Sequence, residues 1–288
     1  MGIADRWKDW DEPPQQGGVR FMAPRLTSAV RLLLFINLGF FLALWIIPKF
    51  FGGHADEASR WAVSVFGLYP SEWSAPYLPV WQFLTYGVLH DPSSLGHLFW
   101  NMLLLYFFGT MLEGVLGKGR FLAAYAGGAL AGAALHFIAF FIGLVVDKPA
   151  IGASGAILGV VVAAAVYKPR ATVLFFFIPM SLKVLVSCLV AFDIYWAVEG
   201  ASGADTGTAH WIHLGGAAFG FFGARAGWLQ RDHFARFQAK RAVHQALRSA
   251  KDAAAVDKLL EKISKDGLGS LSEREKATLK RASGRKKG

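Results

Sequence analysis

Six apolar stretches constrain this chain more than any other feature in it. A helix of about 20 residues crosses the ~30 Å hydrocarbon core of a bilayer, and backbone placed in lipid must satisfy its own hydrogen bonds. The stretches run over about 29–47, 95–116, 121–146, 151–167, 171–198 and 211–229. The first ends at Pro48-Lys49, the fourth is short, and the fifth is interrupted by Pro179 and Lys183. Composition agrees: 54% of the 288 residues are hydrophobic and 17% charged, against roughly 25% charged in a soluble domain. Disorder, a collagen-like repeat and a disulfide scaffold are excluded, the last because the single cysteine, Cys188, lies in an apolar run. No cleavable signal is expected, since charges and Pro13-Pro14 precede the first stretch.

The net charge of +10 is unevenly placed. Residues 32–230 hold nine basic and nine acidic side chains, whereas 231–288 hold sixteen basic against seven acidic. A basic tail beside a neutral apolar core points to cytoplasmic orientation and anionic lipid rather than to nucleic acid. The loops agree. Lys118 and Arg120 join stretches two and three, and Lys168 and Arg170 join four and five. The other side carries Asp56, Glu57, Glu72, Asp91, Asp147, Glu199 and Asp205, with only Lys49, Arg60 and Lys148 as positive charges. The positive-inside rule then predicts six spans with both termini cytoplasmic. The expected division is a cytoplasmic segment 1–28, a membrane domain 29–229 and a basic helical tail 230–288. A bacterial inner membrane is the expected location.

The connection 51–94 is long and carries Trp61, Phe66, Tyr69, Trp73, Tyr77, Trp81 and Phe83. Two readings stand side by side: an ordinary outer loop with an aromatic belt, or a segment lying in the outer leaflet. In the tail, Val256, Leu259, Leu260 and Ile263 share one helical face that Gly267 would end, and Ser272 with Glu275 would cap a second short helix. No chemistry is assigned there.

Ionisable and polar groups are costly inside a membrane, so each is a functional candidate. His97 and Asn101 lie four apart on one face of span two, with Glu113 at its inner end. Span four opens with Gly152-Ala153-Ser154-Gly155, and span six carries His210, His213 and Leu214-Gly215-Gly216. The topology brings His97, Asn101, Ser154 and His213 to similar depth near the outer surface. Small residues around Ser154 and after His213 let helices approach closely. Ser154 and His213 can then act as nucleophile and general base, with His97, Asn101 and the Ser154 N–H aimed at an oxyanion. Each piece has a bland reading. Gly-x-Ser-Gly alone is a packing string, and lone histidines hydrogen-bond between helices. His210 and His213 without a carboxylate or third histidine in register make a poor zinc set, so neither metal nor cofactor is expected. His136, Asp193 and Cys188 read as structural.

Together these residues resemble the rhomboid family of intramembrane serine proteases. The resemblance spans roughly residues 30–229 and rests on His97-x-x-x-Asn101, Gly109 and Glu113, Gly152-Ala153-Ser154-Gly155, and His213-Leu214-Gly215-Gly216 with Gly220. It implies an all-α, polytopic, six-transmembrane-helix bundle with a small helical cytoplasmic tail. It implies a catalytic dyad of Ser154 and His213 with no aspartate, and an oxyanion site at His97 and Asn101. It favours a first loop in the outer leaflet, and likens His90 to a polar residue at the cavity mouth. Two departures stand out. Trp81-Gln82 replaces the family's common Trp-Arg, and Leu158 replaces the aromatic residue that packs on the catalytic histidine. The expected function is cleavage of transmembrane helices of other membrane proteins near their outer end, through an acyl-enzyme in a water-accessible cavity. Local unwinding of the substrate helix is required, which favours helix-weakening residues there. A non-proteolytic member that escorts client helices is the alternative. A transporter is disfavoured because the halves show no internal repeat. His213→Ala should abolish turnover, and His210→Ala should change little.

Overall fold

The computed structural model describes residues 24–50, 55–73, 78–175, 178–202, 210–231 and 255–272, with single positions at 243, 276 and 279. It divides into two compact units, 1–230 and 231–288.

The first unit is helical. Its principal helices are α1 (Ser28–Phe50), α2 (Ala55–Phe66), α3 (Gln82–Thr85), α4 (Leu95–Leu116), α5 (Lys118–Phe141), α6 (Ser154–Tyr167), α7 (Leu182–Ala201) and α8 (His210–Arg225). Four of them, α1, α4, α5 and α7, are long and apolar enough to cross a membrane. The apolar side chains of α1 and α7 are largely exposed, including Phe35, Trp45, Phe192 and Ile194. Such faces are stable only against lipid or another protein. A π-helical turn over Leu105–Gly109 interrupts α4.

The fifth apolar stretch is not one span. Thr172–Phe175 (β1) and Ile178–Ser181 (β2) pair antiparallel, Thr172 opposite Ser181 and Phe175 opposite Ile178, and α7 starts only at Leu182. Pro179 cannot continue a helix but is tolerated in a two-stranded edge. The third apolar stretch also ends early as a helix, α5 stopping at Phe141 rather than near Val146, and 142–153 forms an irregular connection.

The core lies where α6 meets α5 and α8. Every residue of α6 from Gly155 to Ala165 is buried. Glycine makes this possible: a Cβ on Gly216 would lie 2.0 Å from the Gly155 carbonyl oxygen, and one on Gly220 2.1 Å from that of Gly159. Gly132 of α5 meets the Ile212 carbonyl in the same way, at 2.6 Å. Backbones thus touch directly across three helices, the close approach that small residues allow in membranes. At the opposite end of the bundle, Glu113 accepts hydrogen bonds from the Ser28 hydroxyl and from the free N–H groups of Ala29 and Val30. A carboxylate there satisfies donors that the first turn of α1 leaves open.

In the connection, the described residues 55–73 and 78–88 are organised around Gln82, which is 2% exposed. Its Oε1 accepts from the Trp73 indole at 2.9 Å and the Tyr69 N–H at 3.3 Å, and its Nε2 donates to the Ser64 carbonyl at 3.3 Å. Trp73 packs edge-on against Phe83 and Phe137, which ties the segment to α5.

In the second unit, 255–266 is helical and Gly267 follows it at φ 79°. A left-handed residue suits glycine at a helix end. The second helix expected from Ser272 and Glu275 falls mostly outside the described residues.

Candidate active site

Ser154 is the first residue of α6 and His213 lies in the first turn of α8. The backbone contact between these helices sets the two side chains against each other. Ser154 Oγ and His213 Nε2 are 2.7 Å apart. The loop leading to Ser154 is pinned from the other side. Leu68 pairs with Ala150 through two backbone hydrogen bonds, the Gly152 N–H donates to the Tyr86 carbonyl at 2.9 Å, and the buried Tyr86 hydroxyl donates to the Ala129 carbonyl. Gly152 has φ 124°, which side-chain-bearing residues avoid. A Cβ there would also lie 2.8 Å from the His97 ring and 3.6 Å from Ser154 Oγ. The glycine therefore lets His97 of α4 approach the serine.

The other ring nitrogen of His213 is held by Asp193 of α7. His213 Nδ1 is 2.8 Å from Asp193 Oδ1, and His210 Nδ1 is 2.6 Å from the same oxygen. An ionised carboxylate only accepts, so both Nδ1 atoms carry the proton, and Nε2 of a neutral His213 is left to accept the Ser154 hydroxyl. The His210 ring stacks on Trp196, with ring centroids 6.5 Å apart and planes 17° apart. These residues open on a cavity of about 590 Å³ lined by Ser154, His213, His97, His136, Trp196 and Tyr86, with Asp91, Lys148 and Pro149 from the connections.

Residues 78–229, more than half of the chain, match the Rhomboid domain. The chain belongs to the rhomboid family. It is 36% identical over 138 residues to RHOMBOID-like protein 12, mitochondrial, of Arabidopsis thaliana, covering 43% of this chain and 40% of that one. To the rhomboid protease GluP of Bacillus subtilis it is 30% identical over 146 residues, 51% of this chain and 26% of that one. To Rhomboid protein 1, mitochondrial, of Saccharomyces cerevisiae it is 32% identical over 125 residues, 43% of this chain and 36% of that one. The chain thus matches between about a quarter and two fifths of these relatives' own lengths. They are mitochondrial as well as bacterial, and do not support a bacterial inner membrane in particular. Residues 248–285 match a family of unknown function, DUF6576.

Within this rhomboid domain the expected residues are not all placed alike. Ser154, His213 and His97 meet at the cavity. Asn101 is buried and does not line it; its Nδ2 donates to His90 Nε2 at 3.0 Å. His90 is 1% exposed rather than at the cavity mouth, its ring 5.1 Å from that of His97. Leu158 faces Val162, Ala217 and the α7 residues Val186, Leu189 and Val190, so no aromatic ring from that position covers His213. Gln82, in the place of the family's common arginine, is itself the hub of its loop.

Two residues read as structural from the sequence belong to the site. Asp193 sits 17 and 20 positions before its partners, with no local motif to connect them; its one signal is a carboxylate inside an apolar run. It also supplies the carboxylate that the His210–His213 pair lacked on sequence, so that the three form a compact set of potential metal ligands. The 2.6 and 2.8 Å separations are those of hydrogen bonds to one oxygen. His136 of α5 lines the cavity at 3% exposure, with neither ring nitrogen partnered among the described residues.

Proposed function

We propose that the chain is an intramembrane serine endopeptidase that cleaves transmembrane helices of other membrane proteins near their outer membrane end. The observation that carries this reading is Ser154 Oγ within 2.7 Å of His213 Nε2 at the wall of a cavity. His213 takes the Ser154 proton as Oγ attacks the scissile carbonyl, then gives it to the leaving amine. The acyl-enzyme is hydrolysed by water from the cavity. His97 and the free N–H groups at the start of α6 face the developing oxyanion; Asn101 lies behind the cavity wall with one amide N–H on His90, and contributes as the remaining donor only by turning its second N–H toward the cavity. Each oxyanion donor contributes on the order of 2.7–4 kcal/mol of transition-state stabilisation.

In this reading six helices cross the membrane, with both termini and the basic tail on the cytoplasmic side, where the tail meets anionic lipid. The 14 residues of α6 span about 21 Å of a ~30 Å core. Helix α6 is wrapped by protein, so it need not match the lipid thickness, and its N-terminus with Ser154 lies below the outer surface.

The test is labelling of the purified full chain in detergent by a fluorescent fluorophosphonate. The wild type is expected to label, and Ser154→Ala and His213→Ala to lose labelling while keeping their thermal unfolding transitions. A folded wild type that does not label would favour the escort function.

A further inference from the structure

We infer that Asp193 is a positioning residue of the same site, fixing the tautomer and ring orientation of His213, and that His210 holds Asp193 in place. The inference rests on the protease reading and departs from the two-residue dyad. Two observations carry it. Asp193 Oδ1 lies 2.8 Å from His213 Nδ1, on the ring edge opposite the serine, and 2.6 Å from His210 Nδ1. Leu158 carries no ring and packs instead on Val162, Ala217 and the α7 residues Val186, Leu189 and Val190, while the ring nearest to His213 is that of His210, edge-on at 5.9 Å. Without a stacked ring, the imidazole needs another constraint. The carboxylate supplies it, because hydrogen bonding at Nδ1 leaves the ring only one productive arrangement.

The chemistry follows from the proton count. In the resting site His213 is neutral, with its proton on Nδ1 and its lone pair on Nε2 toward Ser154. As Oγ attacks, its proton passes to Nε2, and the imidazolium forms beside the Asp193 charge. Nδ1 keeps its own proton throughout, so the aspartate stays ionised and touches no reacting atom. Asp193 is buried, and a buried carboxylate is tolerated only when its lone pairs are satisfied. His210, stacked on Trp196, provides the second donor and fixes the direction of the carboxylate. An amide at 193 can turn its NH2 toward Nδ1, which would move the ring proton to Nε2, where it cannot accept from serine.

Fluorophosphonate labelling kinetics of the full chain over a range of probe concentrations test this, together with 15N spectra of histidine-labelled protein. Asp193→Asn is expected to lower the limiting labelling rate on the order of 10²–10⁴-fold, with the half-saturating probe concentration unchanged. Asp193→Glu should recover at least tenfold over Asn, and His210→Ala should lose about tenfold, the effect of one hydrogen bond to a charged group. The 15N spectra should place the His213 proton on Nδ1 in the wild type and show that assignment altered in Asp193→Asn. Labelling of Asp193→Asn within threefold of the wild type would overturn the inference. So would an unchanged tautomer, or equal loss in the Asn and Glu variants. A wild type that does not label would sink the protease reading alone, since the tautomer comparison still decides the role of Asp193.

Discussion

The His90 imidazole has almost no exposed surface and accepts the Asn101 amide on Nε2, so folding holds it uncharged. Burial, reinforced by the neighbouring His97, pushes its pKa down to about 4, against about 6.5 for an ordinary histidine. Between those values the unfolded chain binds a proton that the folded chain does not. The contribution of His90 to stability therefore rises with pH from about 4 to about 6.5 and is level above. The unfolding temperature in detergent should be flat from pH 8 to about 6.5 and then fall, and His90→Gln should fall less steeply. Parallel curves would remove His90 from this role. Single residues also show what a sequence can reveal. Ser154 and His213 were legible because glycines flank both, and close helix approach at those points has few other uses. Asp193 was not, because its partners lie across a connection, and no spacing rule relates residues on separate helices before their packing is known.

At the scale of elements, the site is a consequence of how α6 and α8 touch. Gly155, Gly159, Gly216 and Gly220 bring carbonyl oxygens of one helix against Cα positions of the other, so the distance from serine to histidine is set by backbone contact. Gly216→Ala places a methyl where a carbonyl oxygen stands 2.0 Å away, and the helices must part. A displacement of about 1 Å at a reacting pair costs on the order of 100-fold in rate. Labelling of Gly216→Ala should fall by at least that much, while Gly39→Ala in α1, which meets nothing within 4 Å, should label like the wild type. Unchanged labelling in Gly216→Ala would mean that the helix contact does not set the site. The sequence indicated this packing through its small residues. It misled for residues 171–181, where apolar content was continuous and only Pro179 signalled a break. A hairpin there was unreadable because alternation over four-residue strands is too short to distinguish from a buried helix.

Across the whole molecule, the proposed six-span arrangement requires α6 and α8 to cross along with the four long helices. The basic residues Lys118 and Arg120, Lys168 and Arg170, and the tail then share one side. If α6 did not cross, α7 would run the other way, and its C-terminal end would fall on the basic side. Ala201 therefore decides between the two arrangements. With Cys188 replaced by serine, the chain has no other cysteine, so single cysteines can be read by a membrane-impermeant maleimide. Cysteines at Gly119 and Ser283 should react from one side of sealed vesicles, and cysteines at Asp147 and Ala201 from the other. Should Ala201 react together with Gly119, α6 does not span, and Ser154 at its start cannot lie below the outer surface. Reaction of Ala201 with Asp147 instead fixes α7 with its C-terminal end outward, and with it the depth at which Asp193, His213 and Ser154 meet.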